Sequence, residues 1–199
     1  MNRILIIVPV FENCETDTMK SIYGLIRPSC EIQLDFVKGY DVSRARNMAV
    51  KEAFDYGFTH LFFVDSDIVL PPDALINLYK AEKDVILGWY RRKRTVTNQT
   101  EIFKLGIKDF KDENNYNAAE LAKEDIVQIK GGGMGCALIN MEVFKRMGEK
   151  RWFQYIEYDN GWGDVLSEDN FFCVECEKIN IPIFVHGKVQ CGHISKITL

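Results

Sequence analysis

Four consecutive apolar residues, Leu61-Phe62-Phe63-Val64, run straight into Asp65-Ser66-Asp67. A half-exposed strand would alternate polar and apolar positions, so an unbroken run reads as a strand covered on both faces, an inner strand of an α/β sheet. The two acids then sit where that strand ends. Ligands of open α/β sheets gather at the carboxyl edge of the strands, which gives this pair access to solvent and to a substrate. Hard divalent ions such as Mg²⁺ or Mn²⁺ take oxygen ligands and commonly use one or two carboxylates plus the phosphates of a bound nucleotide. The plain alternative is that Asp65 and Asp67 open a turn and cap the helix that follows Pro71-Pro72.

The segments on either side of this strand fix the fold class. Ile4 to Val8 is a second continuous apolar run, closed by Pro9 and followed by a loop that carries Phe11. It reads as an inner parallel strand, with Phe11 at the same sheet edge as the acids. Thr16 to Ile26 places Met19, Ile22, Tyr23 and Ile26 at helical spacing, and Glu31 to Val37 alternates as a strand. Ser43 is a plausible cap for a helix marked by Ala45, Met48, Ala49 and Ala53 and closed by Gly57. This β-α-β-α-β order within 65 residues predicts an α/β fold with a mostly parallel, doubly wound central sheet flanked by helices. Downstream, Val85–Leu87, Ile102–Ile107, Ile126–Ile129, Cys136–Ile139 and Ile183–Val185 are strand candidates. Phe171–Ile179 is a helix candidate, and 108–117 a polar loop.

Composition limits what such a fold can serve. The chain has 199 residues, 47% of them hydrophobic, enough to bury roughly 70% of the surface its unfolded form exposes and to form one domain over residues 1–199. Net charge is -4 with acids and bases interspersed, which argues against a general nucleic-acid binder. No apolar stretch approaches the roughly 20 residues of a membrane span, and Met1-Asn2-Arg3-Ile4 leads into a strand rather than a cleavable signal. The chain therefore reads as soluble and cytoplasmic. Its six cysteines lie in apolar segments and read mostly as reduced core residues.

Several further motifs carry chemistry. Ser43-Arg44-Ala45-Arg46-Asn47 sets two guanidinium groups in the first turn of a helix, where free backbone N–H groups also attract anions. The functional reading is diphosphate or base contact, the plain one a pair of surface arginines salt-bridged to acids. Arg91-Arg92-Lys93-Arg94 is a basic cluster suited to a phosphate or an anionic acceptor, or simply a solvated loop. Gly131-Gly132-Gly133-Met134-Gly135 permits unusual dihedrals and close approach of a ligand to bare backbone. It is not a dinucleotide fingerprint, since Cys136 replaces the third glycine and a strand follows. Ser167 can cap the helix after it with Glu168 and Asp169 in the first turn; the sharper reading makes Asp169 a general base, with Trp162 as a sugar-stacking platform.

Together, Ile7-Val8-Pro9, Ser43 to Asn47, Phe63-Val64-Asp65-Ser66-Asp67, Gly131-Gly132-Gly133, Ser167-Glu168-Asp169 and a late His193 resemble, in order, the nucleotide-sugar-dependent glycosyltransferases of the GT-A fold. The resemblance is to the family 2 glycosyltransferases and the Anp1-like mannosyltransferases. It implies a nucleotide pocket around Pro9, Phe11 and Arg44 to Asn47, with Gly132 and Gly133 on the donor side. Asp65 would lie toward ribose and metal, Asp67 would bind Mn²⁺ or Mg²⁺ directly, and His193 would complete the shell. Asp169, with Glu168 beside it, would be the catalytic acid pair, Asp169 deprotonating the acceptor hydroxyl of a glycan or other alcohol. The aspartate that holds a uracil in many members has no clear counterpart; Asp41 stands nearest. A UDP-sugar is the favoured donor and GDP-mannose the other candidate.

Two readings of other kinds remain open at this level. Cys173, Cys176, Cys191 and His193 offer four soft ligands for a zinc-stabilised binding module. The same acids could also serve a nucleotidyltransferase acting on a nucleoside triphosphate.

Overall fold

The computed structural model describes residues 1–93, 98–104, 115–157 and 165–195. Through them run β1 (Arg3–Val10), α1 (Thr16–Tyr23), β2 (Glu31–Lys38), α2 (Val42–Asp55), β3 (His60–Val64), β4 (Ile68–Val69), α3 (Ala74–Lys80) and β5 (Val85–Trp89). There follow β6 (Gln99–Phe103), β7 (Asn115–Asn117), α4 (Ala118–Leu121), β8 (Ile126–Ile129), β9 (Gly131–Gly132), β10 (Cys136–Asn140) and α5 (Met141–Met147). The last elements are β11 (Ile156–Glu157), β12 (Val165–Leu166), α6 (Glu168–Lys178), β13 (Ile183–Gln190) and β14 (Gly192–His193).

The apolar runs behave as their composition dictates. β1 and β3 are buried along nearly their whole length and lie parallel at the centre of a sheet ordered β2-β1-β3-β10-β5-β13-β8. Successive side chains point to opposite faces, so each strand feeds two core layers. Leu5, Ile7, Leu61 and Phe63 pack with α2, α5 and α6 on one side; Ile4, Ile6, Phe62 and Val64 pack with α1 and α3 on the other. Ala45, Ala49 and Ala53 recur every four residues along α2, and their small side chains bring the helix close against the sheet.

β2, β1, β3, β5 and β13 run one way, while β10 and β8 run the other. The mostly parallel α/β sheet flanked by helices is therefore present. β10 enters antiparallel between β3 and β5, a direction its uniformly apolar sequence did not indicate. Boundaries also moved. α1 stops at Tyr23 rather than Ile26, because Leu25 turns into the core and the Ile26 N–H bonds to Pro72 O at 2.7 Å. Asp41, not Ser43, caps α2: its carboxylate accepts the Arg44 N–H, while the Ser43 hydroxyl donates to Phe153 O. β5 continues through Trp89, Asn115–Asn117 is a strand rather than loop, and the Ile102–Ile107 strand ends at Phe103, residues 105–107 lying outside the described chain. Among the described residues no helix is long and apolar enough to cross a membrane.

Candidate active site

Asp65 and Asp67 leave β3 at its carboxyl end, as the run before them required. The Asp65 N–H donates to Gly135 O at 3.1 Å, and Asp65 O accepts the Ile68 N–H, closing a turn. Neither acid caps the following helix, whose N-terminus is Asp73. The turn aims the two carboxylates at different surroundings.

Asp67 faces solvent. Next to it the two-stranded ladder of β4 and β14 pairs His193 with Ile68, and the Ile194 N–H bonds to Asp67 O at 2.9 Å. The chain thus returns His193 to Asp67. His193 Nδ1 lies 2.9 Å from Arg91 O. A carbonyl can only accept, so in the neutral ring Nδ1 carries the hydrogen and Nε2 presents its lone pair, 3.7 Å from Asp67 Oδ1. Tyr90 packs edge-on against the imidazole, with ring centroids 4.9 Å apart. The Lys93 ammonium pairs with Asp67 Oδ2. A groove of about 410 Å³ opens here, lined by Phe11, Asn13, Ser66, Asp67, Lys93 and Ser195 among others. Phe11 is 68% exposed within it, an apolar platform two residues beyond buried Pro9.

Asp65 turns inward to Arg46. This arginine is 1% exposed, and its Nη2 donates to Asp65 Oδ1 at 3.0 Å. The same nitrogen lies 3.3 Å from Asp169 Oδ1, and Nε lies 3.7 Å from Glu168 Oε1. Ser167 caps α6 and delivers both acids in its first turn. The rings of Phe63 and Phe153 flank the guanidinium at 5.0 and 5.9 Å. Burial alone would lower the Arg46 pKa, but Asp65, Asp169 and Glu168 outweigh it and the group stays charged.

Three carboxylates around one cation cannot all be neutralised. Burial raises the Asp169 pKa well above the usual carboxylate range, with Arg46 opposing and Glu168 and Asp65 adding to the rise. Asp65 is raised as well, burial again leading and Arg46 opposing. The Met134 N–H donates to Asp169 Oδ2 at 3.0 Å. Arg46 Nε, Arg46 Nη1 and Asp169 Oδ1 lack hydrogen-bond partners among the described residues. Such buried orphans cost about 1–3 kcal/mol each and persist where a site has a use for them.

The glycine segment is the floor between the acids. None of its glycines has a positive φ, so the expected unusual dihedrals are not the reason for them. Space is. A Cβ on Gly135 would come within 2.9 Å of both Asp65 Oδ2 and the Tyr90 hydroxyl, one on Gly132 would strike Ile102 and Leu87, and one on Gly133 would strike Tyr90. Protein side chains approach the bare backbone of Gly132 and Gly133. The Gly135 N–H donates to the Tyr90 hydroxyl at 3.1 Å.

Other anticipated residues fall elsewhere. Arg44 is exposed and stacks over Tyr40 at 4.4 Å, and the Asn47 side chain takes part in four hydrogen bonds. Three of those four involve residues 152 and 153; the fourth ties the side chain back to Ser43 O. Asp41, Arg44 and Asn47 line a separate cavity of about 1140 Å³ between α2 and the 148–152 loop, which none of the clustered acids borders. Arg46 departs from the plain reading of a surface arginine: it is salt-bridged to acids, but buried. Trp162 and Arg94 lie outside the described residues. Tyr155 and Tyr90 were not anticipated. The Tyr155 hydroxyl is hydrogen-bonded to Glu168, and burial followed by that carboxylate raises its pKa. Only three-dimensional proximity reveals either tyrosine.

The zinc alternative fails on topology. Cys173 and Cys176 belong to the core layer under α6, whereas Cys191, hydrogen-bonded to Cys136, belongs to the layer on the opposite face of the sheet. Burial pushes the Cys173 thiol up to about 12, against the thiolate that zinc needs. A divalent cation at Asp67 is better matched. The Asp67 carboxylate and an imidazole lone pair face one another there, and Lys93 already seats a positive charge beside them, while Asp65 points inward to Arg46. Among the described residues no three His, Cys, Asp or Glu side chains close a shell on their own. A cation would take its remaining ligands from substrate oxygens and water, as Mg²⁺ and Mn²⁺ do.

No family model matches the sequence, and no curated protein matches it. Among solved structures, A197 from STIV superimposes with a TM-score of 0.61 at 16% identity, over 98% of this chain and 87% of that one. GalNAc-T7 with UDP, GalNAc and Mn²⁺ superimposes with a TM-score of 0.59 at 10% identity, over 98% of this chain and 43% of that one. At these identities the likeness fixes the architecture, a GT-A-like fold.

Proposed function

We propose that residues 1–199 form a single GT-A-like domain that moves a sugar from a nucleoside-diphosphate sugar to an acceptor hydroxyl. The observation that carries this reading is the pairing of Asp67 with the Nε2 face of His193 at the open groove, joined through Asp65 and Arg46 to a buried acid, Asp169. The neighbour solved with UDP, GalNAc and Mn²⁺ supports both the donor class and the metal.

Asp65, Asp67 and His193 would hold Mn²⁺ or Mg²⁺, which when bound supplies positive charge against the departing diphosphate. Phe11 would stack the nucleotide base, and Lys93, released from Asp67, would reach a phosphate oxygen. Asp169 would accept the acceptor's hydroxyl proton as that oxygen attacks the anomeric carbon and the bond to the β-phosphate oxygen breaks, giving inversion. A base must be ionised to take a proton, and Arg46, which opposes the rise that burial imposes on the Asp169 pKa, is the group that favours the ionised form. Glu168, buried against Arg46 and Tyr155, would orient rather than react. A UDP-sugar remains the favoured donor, with GDP-mannose the alternative, and Asp41, Arg44, Asn47 and Trp162 the positions to probe for base and sugar contacts.

Calorimetric titration of UDP and GDP, each with Mn²⁺ and with a chelator, tests this against wild type and Asp67→Ala. One diphosphate should bind only with metal, and the variant should lose at least tenfold in affinity. Absence of binding by either nucleotide overturns the reading, and release of pyrophosphate from a nucleoside triphosphate would replace it with nucleotidyl transfer.

A further inference from the structure

We infer that Arg46 is a positioning residue that links the two ends of the site, passing the seating of a cation at Asp65 and Asp67 on to the carboxylate of Asp169. The inference rests on the transferase reading.

One nitrogen of Arg46 stands between two acids. Nη2 makes a hydrogen bond to Asp65 Oδ1 at 3.0 Å, while Asp169 Oδ1, 3.3 Å from the same nitrogen, is left without a hydrogen-bond partner among the described residues. Each acid is anchored to the same short segment: Asp65 through its own N–H on Gly135 O, Asp169 through Oδ2 on the Met134 N–H. Those two anchors are neighbours in one turn, so the separation of the acids is set by residues 134 and 135. Phe63 and Phe153 flank the guanidinium, leaving carboxylates rather than water as its surroundings. If Asp65 Oδ1 turns outward to a cation, Nη2 loses its partner, and Asp169 Oδ1 is the acceptor within reach. The exchange orders Asp169 only when the cation is seated, and by reciprocity an intact Asp169 strengthens cation binding.

The test is a double-mutant cycle on Mn²⁺ affinity, measured by calorimetry with the diphosphate that wild type accepts, over wild type, Asp169→Asn, Arg46→Lys and the double variant. Asp169→Asn should weaken Mn²⁺ about five- to tenfold in the wild-type background and less than twofold in the Arg46→Lys background. Lysine keeps the charge but offers one ammonium in place of the planar fork. An equal loss in both backgrounds, the signature of a through-space charge effect, overturns the inference, as does a loss below twofold in wild type. If Arg46→Lys melts too low to measure, the Arg46 Nε–H resonance in wild type and Asp169→Asn decides. It should move on adding Mg²⁺ with the diphosphate in wild type and stay within half that shift in the variant; equal shifts overturn the inference. Absence of metal-dependent diphosphate binding in wild type would overturn the transferase reading and this inference with it, whereas normal binding without coupling overturns the inference alone.

Discussion

The two aspartates of Asp65-Ser66-Asp67 are one residue apart and have opposite environments. Asp67 looks outward to Lys93 and His193, its side chain 31% exposed, with water able to replace either partner. Asp65 looks inward to an arginine that is 1% exposed and shared with Glu168 and Asp169. An ion pair in water exchanges partners at little cost, because solvent screens it and compensates each charge when it opens. A buried pair cannot be opened from one side without stranding a charge in low dielectric. The outer end of this site is thus built to trade ligands with solvent, and the inner end to open only when a bound cation takes over the charge of Asp65 and a second carboxylate remains for Arg46.

The sharpest way to break that contrast is to remove the inner cation. Arg46→Met deletes the arginine that the three carboxylates share while keeping an apolar stem for Phe63 and Phe153 to pack on. Loss of one partner of a buried ion pair costs about 3–5 kcal/mol. Urea unfolding at pH 7 should show a loss of that size. A loss near 1 kcal/mol would mean that the inner cluster is solvated, and that its difference from the Asp67 end is one of position only.

A smaller effect should come from Asp169. Its folded-state pKa is raised above the unfolded value of about 3.9. The protonated form is therefore the one the fold favours, so its stabilising contribution is complete below that value and is lost as pH rises through the raised pKa. Wild type and Asp169→Asn should melt closest together near pH 4. They should diverge as pH rises, the variant becoming the more stable, by about 1.4 kcal/mol for each unit by which the pKa is raised. Melting temperatures taken from pH 4 to 8 without divalent metal measure the divergence. Parallel curves would show that Arg46 fully compensates Asp169.

The same contrast explains what the sequence could and could not convey. Leu5, Ile7, Leu61 and Phe63 declare buried strands because burial on both faces leaves a local record, an unbroken apolar run, and the position of Asp65 and Asp67 at the strand end follows from that record alone. Ser167, Glu168 and Asp169 are legible for a similar reason, since a helix start has a short-range chemistry. The burial of Arg46 was not legible because a first-turn arginine is ordinarily exposed, and only the packing of α2 against β1 and β3 decides which first-turn residue points under the sheet. The antiparallel direction of β10 leaves no mark in Cys136-Ala137-Leu138-Ile139, whose residues are apolar on both faces in either orientation. Tyr90 and Tyr155 meet His193 and Glu168 across 103 and 13 residues of chain, separations over which composition carries no signal. The glycine run pointed to unusual dihedrals, but its φ angles are ordinary, and it is Ile102 and Leu87 at Gly132, Tyr90 at Gly133, and Tyr90 with Asp65 at Gly135 that leave no room for a Cβ.

The least effect on stability, and the clearest statement of what the outer end is for, should come from Lys93→Ala. Lys93 and Asp67 are each about one-third exposed, so their pair contributes at most about 1 kcal/mol to folding, within reach of the scatter in urea unfolding. Binding should respond differently. Without nucleotide the ammonium competes with any cation for Asp67, so its removal should tighten Mn²⁺ alone by a few-fold. If Lys93 then moves to a phosphate oxygen, the same variant should weaken the diphosphate in the presence of saturating Mn²⁺. Calorimetry with Mn²⁺ alone and then with the diphosphate reads both signs on one sample. Opposite signs make Lys93 an exchangeable partner, placed where a cation must displace it and a phosphate can receive it. Equal signs, or a folding loss approaching that of Arg46→Met, would make it a fixed strut and erase the distinction between the two ends.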